Sequence, residues 1–184
     1  VPAEKSMIDY WILSELNKLI HDVEIGFVTY RFDLATQRIY EFVWNEFCDW
    51  YLELAKVNLQ SKDEQVRTAT INILLKVLEA VLRVIHPFMP FITEELWQVV
   101  VPLLSKNATN SIMIADYPDE QSFVSIEGLQ IESEMRLTIE QLKQLFGVVR
   151  NIRAEMGLLP AVNAPLFIET FNHDLFSAYI EYIK

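Results

Sequence analysis

The sequence predicts a mainly α protein, an antiparallel helical bundle with a small α+β appendage at its C-terminal end. Three observations carry that prediction. Apolar residues recur three or four apart through most of the first hundred positions, the spacing that places them on one face of a helix. The 184 residues include only 4 glycines and 7 prolines, so few positions interrupt helical structure. Hydrophobic residues make up 52% of the chain, enough at this length to bury a core without a disulfide or metal staple.

The elements follow in order. Ser6-x-x-Asp9 reads as a helix start, with a hydroxyl able to bond an orphan backbone N–H. Behind it Ile8, Trp11, Ile12, Leu16, Leu19, Ile20, Val23 and Phe27 form one apolar face. Tyr30-Arg31-Phe32 connects to a second helix, for which Asp33 is the expected cap. That helix runs to about Leu59. Its apolar residues cover most of its circumference, which predicts a central, enclosed position. Its polar residues Glu41, Asn45, Asp49 and Glu53 form one stripe, with Glu46 beside it, expected to face solvent or pair with neighbouring cations.

Ser61-Lys62-Asp63-Glu64 opens a third helix, with Ile71, Leu74, Leu75, Leu78, Leu82 and Ile85 as its packed stripe. Pro87 ends it near His86, because the residue before a proline is pushed out of helical geometry. Pro90 suits the first turn of a fourth helix reaching about Val101. A polar linker then carries Ile112-Met113-Ile114, a short β candidate. Helical spacing returns from about Gln130 to Met156, Leu166-Phe167-Ile168 is a second β candidate, and His173 to Lys184 reads as a final helix. The expected organisation is 1–104 as bundle core, 105–129 as a loop with a short strand, 130–157 as a late bundle helix, and 158–184 as the strand and terminal helix of the appendage.

Fifteen basic and 26 acidic side chains give a net charge of −11 and a pI near 4.7. That excludes a uniformly basic nucleic-acid coat and a polybasic membrane anchor, but not a local basic patch. No apolar run is long enough for a membrane span. Val1 to Lys5 lack the features of a signal peptide and there is no initiator Met, so a fragment of something longer is expected. The single cysteine, Cys48, precludes an intramolecular disulfide and a cysteine zinc site. Amid Phe47, Trp50 and Tyr51 it is expected to be a buried structural thiol. His21, His86 and His173 are far apart, and no Glu-x-x-His accompanies the acidic stripe, so no metal site is expected. No glycine-rich phosphate cradle occurs. The chain shows no catalytic constellation.

Binding chemistry remains. Cations beside aromatic rings can hold phosphates while bases stack. The candidates are Lys18, Arg31 with Phe32, and Arg38 on the early helices, and Arg150 and Arg153 on the late one. The competing account makes them ordinary solvated charges offsetting acids.

Two strings narrow the choice. Trp44-Asn45-Glu46-Phe47-Cys48-Asp49-Trp50-Tyr51-Leu52-Glu53-Leu54 resembles a helix of the valyl-tRNA synthetases. His86-Pro87-Phe88-Met89-Pro90-Phe91-Ile92-Thr93-Glu94-Glu95-Leu96-Trp97 resembles a segment shared by the class I valyl, isoleucyl, leucyl and methionyl enzymes. Asp9 to Leu13 and Val149 to Glu155 are also similar to the valyl branch, and the resemblance covers nearly the whole chain.

The resemblance implies a class I synthetase anticodon-binding domain whose partner is the anticodon region of valine tRNA. It implies a catalytic domain in the same polypeptide that uses ATP and Mg²⁺, a separate editing domain, and a cytoplasmic location. The HIGH and KMSKS signatures of that catalytic domain are not in this sequence, and no cofactor is expected for the chain itself. The family's leading Asn-Lys-Leu-Trp-Asn-like helix is also missing, which predicts an exposed apolar groove and a tendency to self-associate. An isoleucyl- or leucyl-type domain and a helical protein-interaction scaffold are the alternatives. The scaffold would bind a partner through its grooves with little response to salt.

Overall fold

The computed structural model describes residues 6–104, 110–119, 123, 128–159, 162, 164–167 and 169, with the backbone alone over 128–135. The chain divides into two compact units, Val1–Glu132 and Ser133–Lys184. No strand is found among the described residues.

In the first unit, α1 (Met7–Val28) lies against α2 (Phe32–Glu41), a π-helical stretch (Phe42–Tyr51) and α4 (Glu64–Ile85). It is the central helix. Ile8, Trp11, Ile12, Leu16, Leu19, Ile20 and Val23 are buried as the spacing predicts, and Leu13, Ser14 and Glu15 on the adjoining face are buried too. α2, the π stretch and α3 (Leu52–Leu59) follow one another without a break, and the joining residues Glu41, Phe42, Tyr51 and Leu52 are all in right-handed helical geometry.

This second rod is not enclosed as expected. Within its π stretch only Phe42, Phe47 and Tyr51 are buried, and Trp44 is exposed. Phe42 and Phe47 are five apart, a spacing suited to the wider π turn and not to an α-helix. The polar stripe does meet solvent at Asn45, Asp49 and Glu53, and Glu53 pairs with Lys56 at 2.6 Å. Cys48 is half-buried and not fully buried. Burial, with the charge of Asp49 second, pushes its thiol pKa up, which keeps it protonated and a weak nucleophile.

α1 starts on the expected Ser6–Asp9 capping box, with further side-chain bonds around it. The Ser6 hydroxyl donates to Asp9 Oδ2 at 2.6 Å, and the Ser6 backbone N–H donates to the same oxygen at 3.0 Å. Tyr51 Oη donates to Asp9 Oδ1 at 2.9 Å, and Asn58 Nδ2 donates to Ser6 Oγ at 3.1 Å. A buried carboxylate thereby fastens the first turn of α1 to the far end of the second rod. Burial, together with the Asp9 charge, raises the Tyr51 pKa, so its hydroxyl stays a donor.

α4 starts on Asp63, whose side chain accepts from Gln65 N at 2.8 Å, and ends at Ile85; its C-cap His86 keeps right-handed helical geometry, φ −51° and ψ −41°, even before Pro87. α5 (Pro90–Leu104) runs past Val101 and through Pro102. Its Trp97, Val100 and Val101 pack with Leu82, and with Leu75 and Leu78 beside it, on α4. Thr93 Oγ1 lies 2.7 Å from His86 Nδ1, closing the α4–α5 corner.

Ile112–Ile114 is one 3₁₀ turn and not a strand. Its backbone groups are satisfied locally, because Ser111 Oγ accepts from Met113 N and Glu94 Oε2 accepts from Ser111 Oγ and Ile112 N. Ile112 itself enters the α4–α5 cluster.

α6 (Gly128–Glu155) spans the boundary into the second unit. It ends at Gly157, in left-handed geometry with φ 64°, where Leu158 N bonds Arg153 O. Leu166 and Phe167 have no regular structure, so the second expected strand is not formed there. Ile168 and the expected final helix from His173 to Lys184 lie outside the described residues, as do Val1 to Lys5 and residues 105–109 of the linker.

Candidate nucleic-acid interface

The early candidates gather on α1, α2 and the corner that joins them. α1 closes with Tyr30 N bonding Phe27 O and Arg31 N bonding Gly26 O, the pattern of a left-handed helix stop. Tyr30 occupies the left-handed position, φ 59°, where glycine is usual. The turn leaves its ring 80% exposed, edge-on to Phe32 at 6.4 Å. Phe32 is edge-on to Phe27 at 5.7 Å, and Phe27 meets Phe88 at 5.5 Å. The corner is therefore aromatic as well as charged.

Arg31, not Asp33, takes the cap position of α2, and Asp33 sits inside the first turn. Arg31 Nε and Nη2 hold the two Asp33 oxygens at 2.9 and 2.8 Å. That bidentate bond keeps the Asp33 carboxyl at about 2, below its ordinary 3.8. A depressed carboxylate pKa contributes stability above the unfolded value and loses it as pH falls through the folded one. The pair is therefore expected to come apart between about pH 4 and about pH 2. An NMR titration following the Asp33 carboxyl carbon checks this; Arg31→Ala should return it to the ordinary range, and an unchanged midpoint in that variant rejects the assignment.

Lys18 and Arg38 share a second node. Glu15, buried on α1, takes Lys18 Nζ on Oε1 at 2.6 Å and Arg38 Nη2 on Oε2 at 3.4 Å. Arg38 Nε also donates to Asp22 Oδ2 at 3.0 Å. Two cations and two carboxylates thus lie together across α1 and α2. Beside them an open groove of about 310 Å³ runs between the helices. Ile25, Gly26 and Leu34 form its apolar part, while Asp22, Thr29, Gln37, Arg38 and Glu41 line the rest.

The late candidates belong to the second unit. Arg150 is exposed on α6. Arg153 Nη2 donates to Leu159 O at 2.9 Å and to Val162 O at 2.8 Å, tying the helix end to the segment after it. Arg153 therefore braces local backbone as well as carrying charge.

Sequence reasoning passed over three other cations. Lys62, at the α3–α4 corner, and Arg67 and Lys76, on α4, make no side-chain hydrogen bond or ion pair with any of the described residues. The signal was present in part, since acids are sparse between Gln65 and Leu78, but which cations stay unpaired depends on how the helices pack.

Among the described residues no group of three or more His, Cys, Asp or Glu could hold a metal ion. No helix among them is long and apolar enough to cross a membrane.

A helical bundle carrying paired cations and exposed aromatics is an architecture for binding, and comparison with known proteins identifies the class. The chain belongs to the anticodon-binding domain family of tRNA ligases: the family model described as the anticodon-binding domain of tRNA ligase matches residues 9–168. Among its relatives, the valine–tRNA ligase of Chromobacterium violaceum is 47% identical over 184 residues, 100% of this chain and 19% of its own length. That of Laribacter hongkongensis is 49% identical over 169 residues, 92% of this chain and 17% of its own length. That of Neisseria meningitidis serogroup B is 47% identical over 182 residues, 99% of this chain and 18% of its own length. The chain spans less than a fifth of the length of these relatives.

Proposed function

We propose that the chain is the anticodon-binding part of a valine–tRNA ligase and contributes tRNA recognition, not bond-making. The observation that carries this is the identity of nearly half across the whole chain to proteins named valine–tRNA ligase. It favours the valyl reading over an isoleucyl or leucyl one. The longer polypeptide would join valine to its tRNA in the cytoplasm with ATP and Mg²⁺, and those groups would sit in its other parts.

In this reading the α1–α2 corner meets the anticodon arm. Arg31, Arg38 and Lys18 exchange their carboxylate partners for phosphate oxygens, and Phe32 offers a ring to an unstacked base. Arg150 and Arg153 meet the backbone elsewhere on the arm. Self-association would use exposed apolar surface, and the α1–α2 groove, whose lining is mostly apolar, offers some of it.

Charge reversal at both corner arginines, Arg31→Glu with Arg38→Glu, is expected to weaken valine tRNA binding by the full polypeptide about tenfold or more and to flatten its salt dependence. Circular dichroism controls for the lost ion pairs. Unchanged binding removes these residues from the interface. A larger loss on reversing Lys62 and Arg67 moves the RNA surface to the α3–α4 corner. Binding that ignores salt altogether favours the protein-interaction scaffold.

A further inference from the structure

α5 is apolar on two sides. One side, Thr93, Trp97, Val100 and Val101, is buried in the first unit. On another side Ile92, Leu96, Val99 and Leu103 repeat at spacings of four, three and four, within about 60° of the helix circumference. All four are exposed, Val99 by 65% and Leu103 by 67%, and Phe91 at the head of the helix is 90% exposed. Single exposed apolar residues are ordinary, but an aligned stripe along a whole helix is not. A helix apolar on both sides is built to be covered on both.

We infer that this stripe docks against an apolar surface of the remaining synthetase polypeptide, and so is a contact between this domain and the rest of its own chain. The inference rests on the reading of this chain as part of a valine–tRNA ligase. Three observations select that occupant. The relatives carry more than four-fifths of their length outside the matching region, so protein surface is present in covalent attachment. Attachment supplies a high effective concentration, and interfaces of this kind between domains of one chain are usual.

RNA is disfavoured, because α5 has no lysine or arginine and its charged residues are Glu94 and Glu95. Glu94 is moreover committed to Gln98, Ser111 and Ile112. A second copy is disfavoured because each chain brings a net charge of −11 to the encounter.

The test compares the full polypeptide with the 184-residue chain, each carrying Cys48→Ser and either Val99→Cys or Leu103→Cys. A maleimide labels the new thiol, peptide mass spectrometry reads the rate, and each rate is divided by that of the same site in denaturant. Labelling slower by about tenfold or more in the full polypeptide than in the 184-residue chain is the expected result. Equal rates overturn the inference. So does slow labelling in the short chain that speeds up on dilution, which assigns the stripe to a second copy. Protection in the short chain that appears only on adding tRNA overturns it as well. Valine tRNA binding is measured on the same full-length samples. Lost protection with intact tRNA binding defeats the docking inference alone, whereas protection without tRNA binding defeats the functional reading alone.

Discussion

Asp9→Ala is expected to lower the stability of the chain by about 3–4 kcal/mol, because it removes a cap and a buried hydrogen-bond acceptor at once. The Asp9 side chain is 1% exposed and accepts three hydrogen bonds, from the Ser6 hydroxyl, the Ser6 N–H and the Tyr51 hydroxyl. Removing it deprives the α1 start of its cap, at about 0.5–2 kcal/mol. It also strands the Tyr51 hydroxyl in a fully buried site, at about 1–3 kcal/mol.

Tyr51→Phe should cost less, about 1.5–2 kcal/mol, because Asp9 keeps its two Ser6 donors. Combining the two substitutions should cost less than their sum, since the phenylalanine leaves no hydroxyl to strand. Urea unfolding, read as a shifted midpoint at unchanged slope, checks all three. A loss below about 1 kcal/mol for Asp9→Ala rejects the role of this carboxylate as the fastening between α1 and the second rod.

Gly26→Ala is expected to destabilise as well, by about 1–2 kcal/mol. A Cβ at this position would stand 2.8 Å from Ala35 Cβ and 3.3 Å from Arg31 O. Neither neighbour can swing aside, because one is a methyl on a buried helix face and the other is backbone. Two effects oppose each other. Alanine gains about 1 kcal/mol over glycine inside a helix. Overpacking costs about 1–3 kcal/mol, and here it pushes apart the two helices that hold the corner.

The clash is expected to win, because the Arg31 N bond to Gly26 O at 2.8 Å leaves the corner little room to relax. Ala35→Gly should restore much of the loss in the double variant, as it removes the opposing methyl. An alanine that is neutral or stabilising would show that α1 and α2 can separate freely. If Arg31, Phe32 and Arg38 meet tRNA as proposed, affinity should fall along with stability, because all three sit on the displaced element.

Much of the fold was legible in the sequence. The periodicity from Ile8 to Phe27 gave the first helix, Pro87 and Pro90 gave the α4–α5 corner, and Asp63 stood where α4 begins, because these signals act within a turn or two of chain. The first short β candidate failed for the opposite reason. Ile112-Met113-Ile114 has strand-like side chains but no neighbouring strand among the described residues, and the Glu94 carboxylate bonds the backbone into a tight turn instead. Period alone also could not reveal the π stretch, whose five-residue step from Phe42 to Phe47 depends on what those rings pack against.

The candidate interface was legible as a set of residues and not as an electrostatic state. Sequence placed Lys18, Arg31, Phe32 and Arg38 near the first two helices. It could not show that Glu15 and Asp22 pair with Arg38, because α1 and α2 bring them together only by packing.

The order of residues was enough to specify the helical class and, through the Trp44–Leu54 and His86–Trp97 strings, the resemblance to a synthetase family. Local spacing and short motifs are properties of consecutive residues and survive being read one after another. Packing settled the rest: which helix is central, which carboxylate locks the bundle, which cations are paired and which apolar stripe stays uncovered. Each of those is a relation between residues far apart in the chain, and it exists only once the helices have come together.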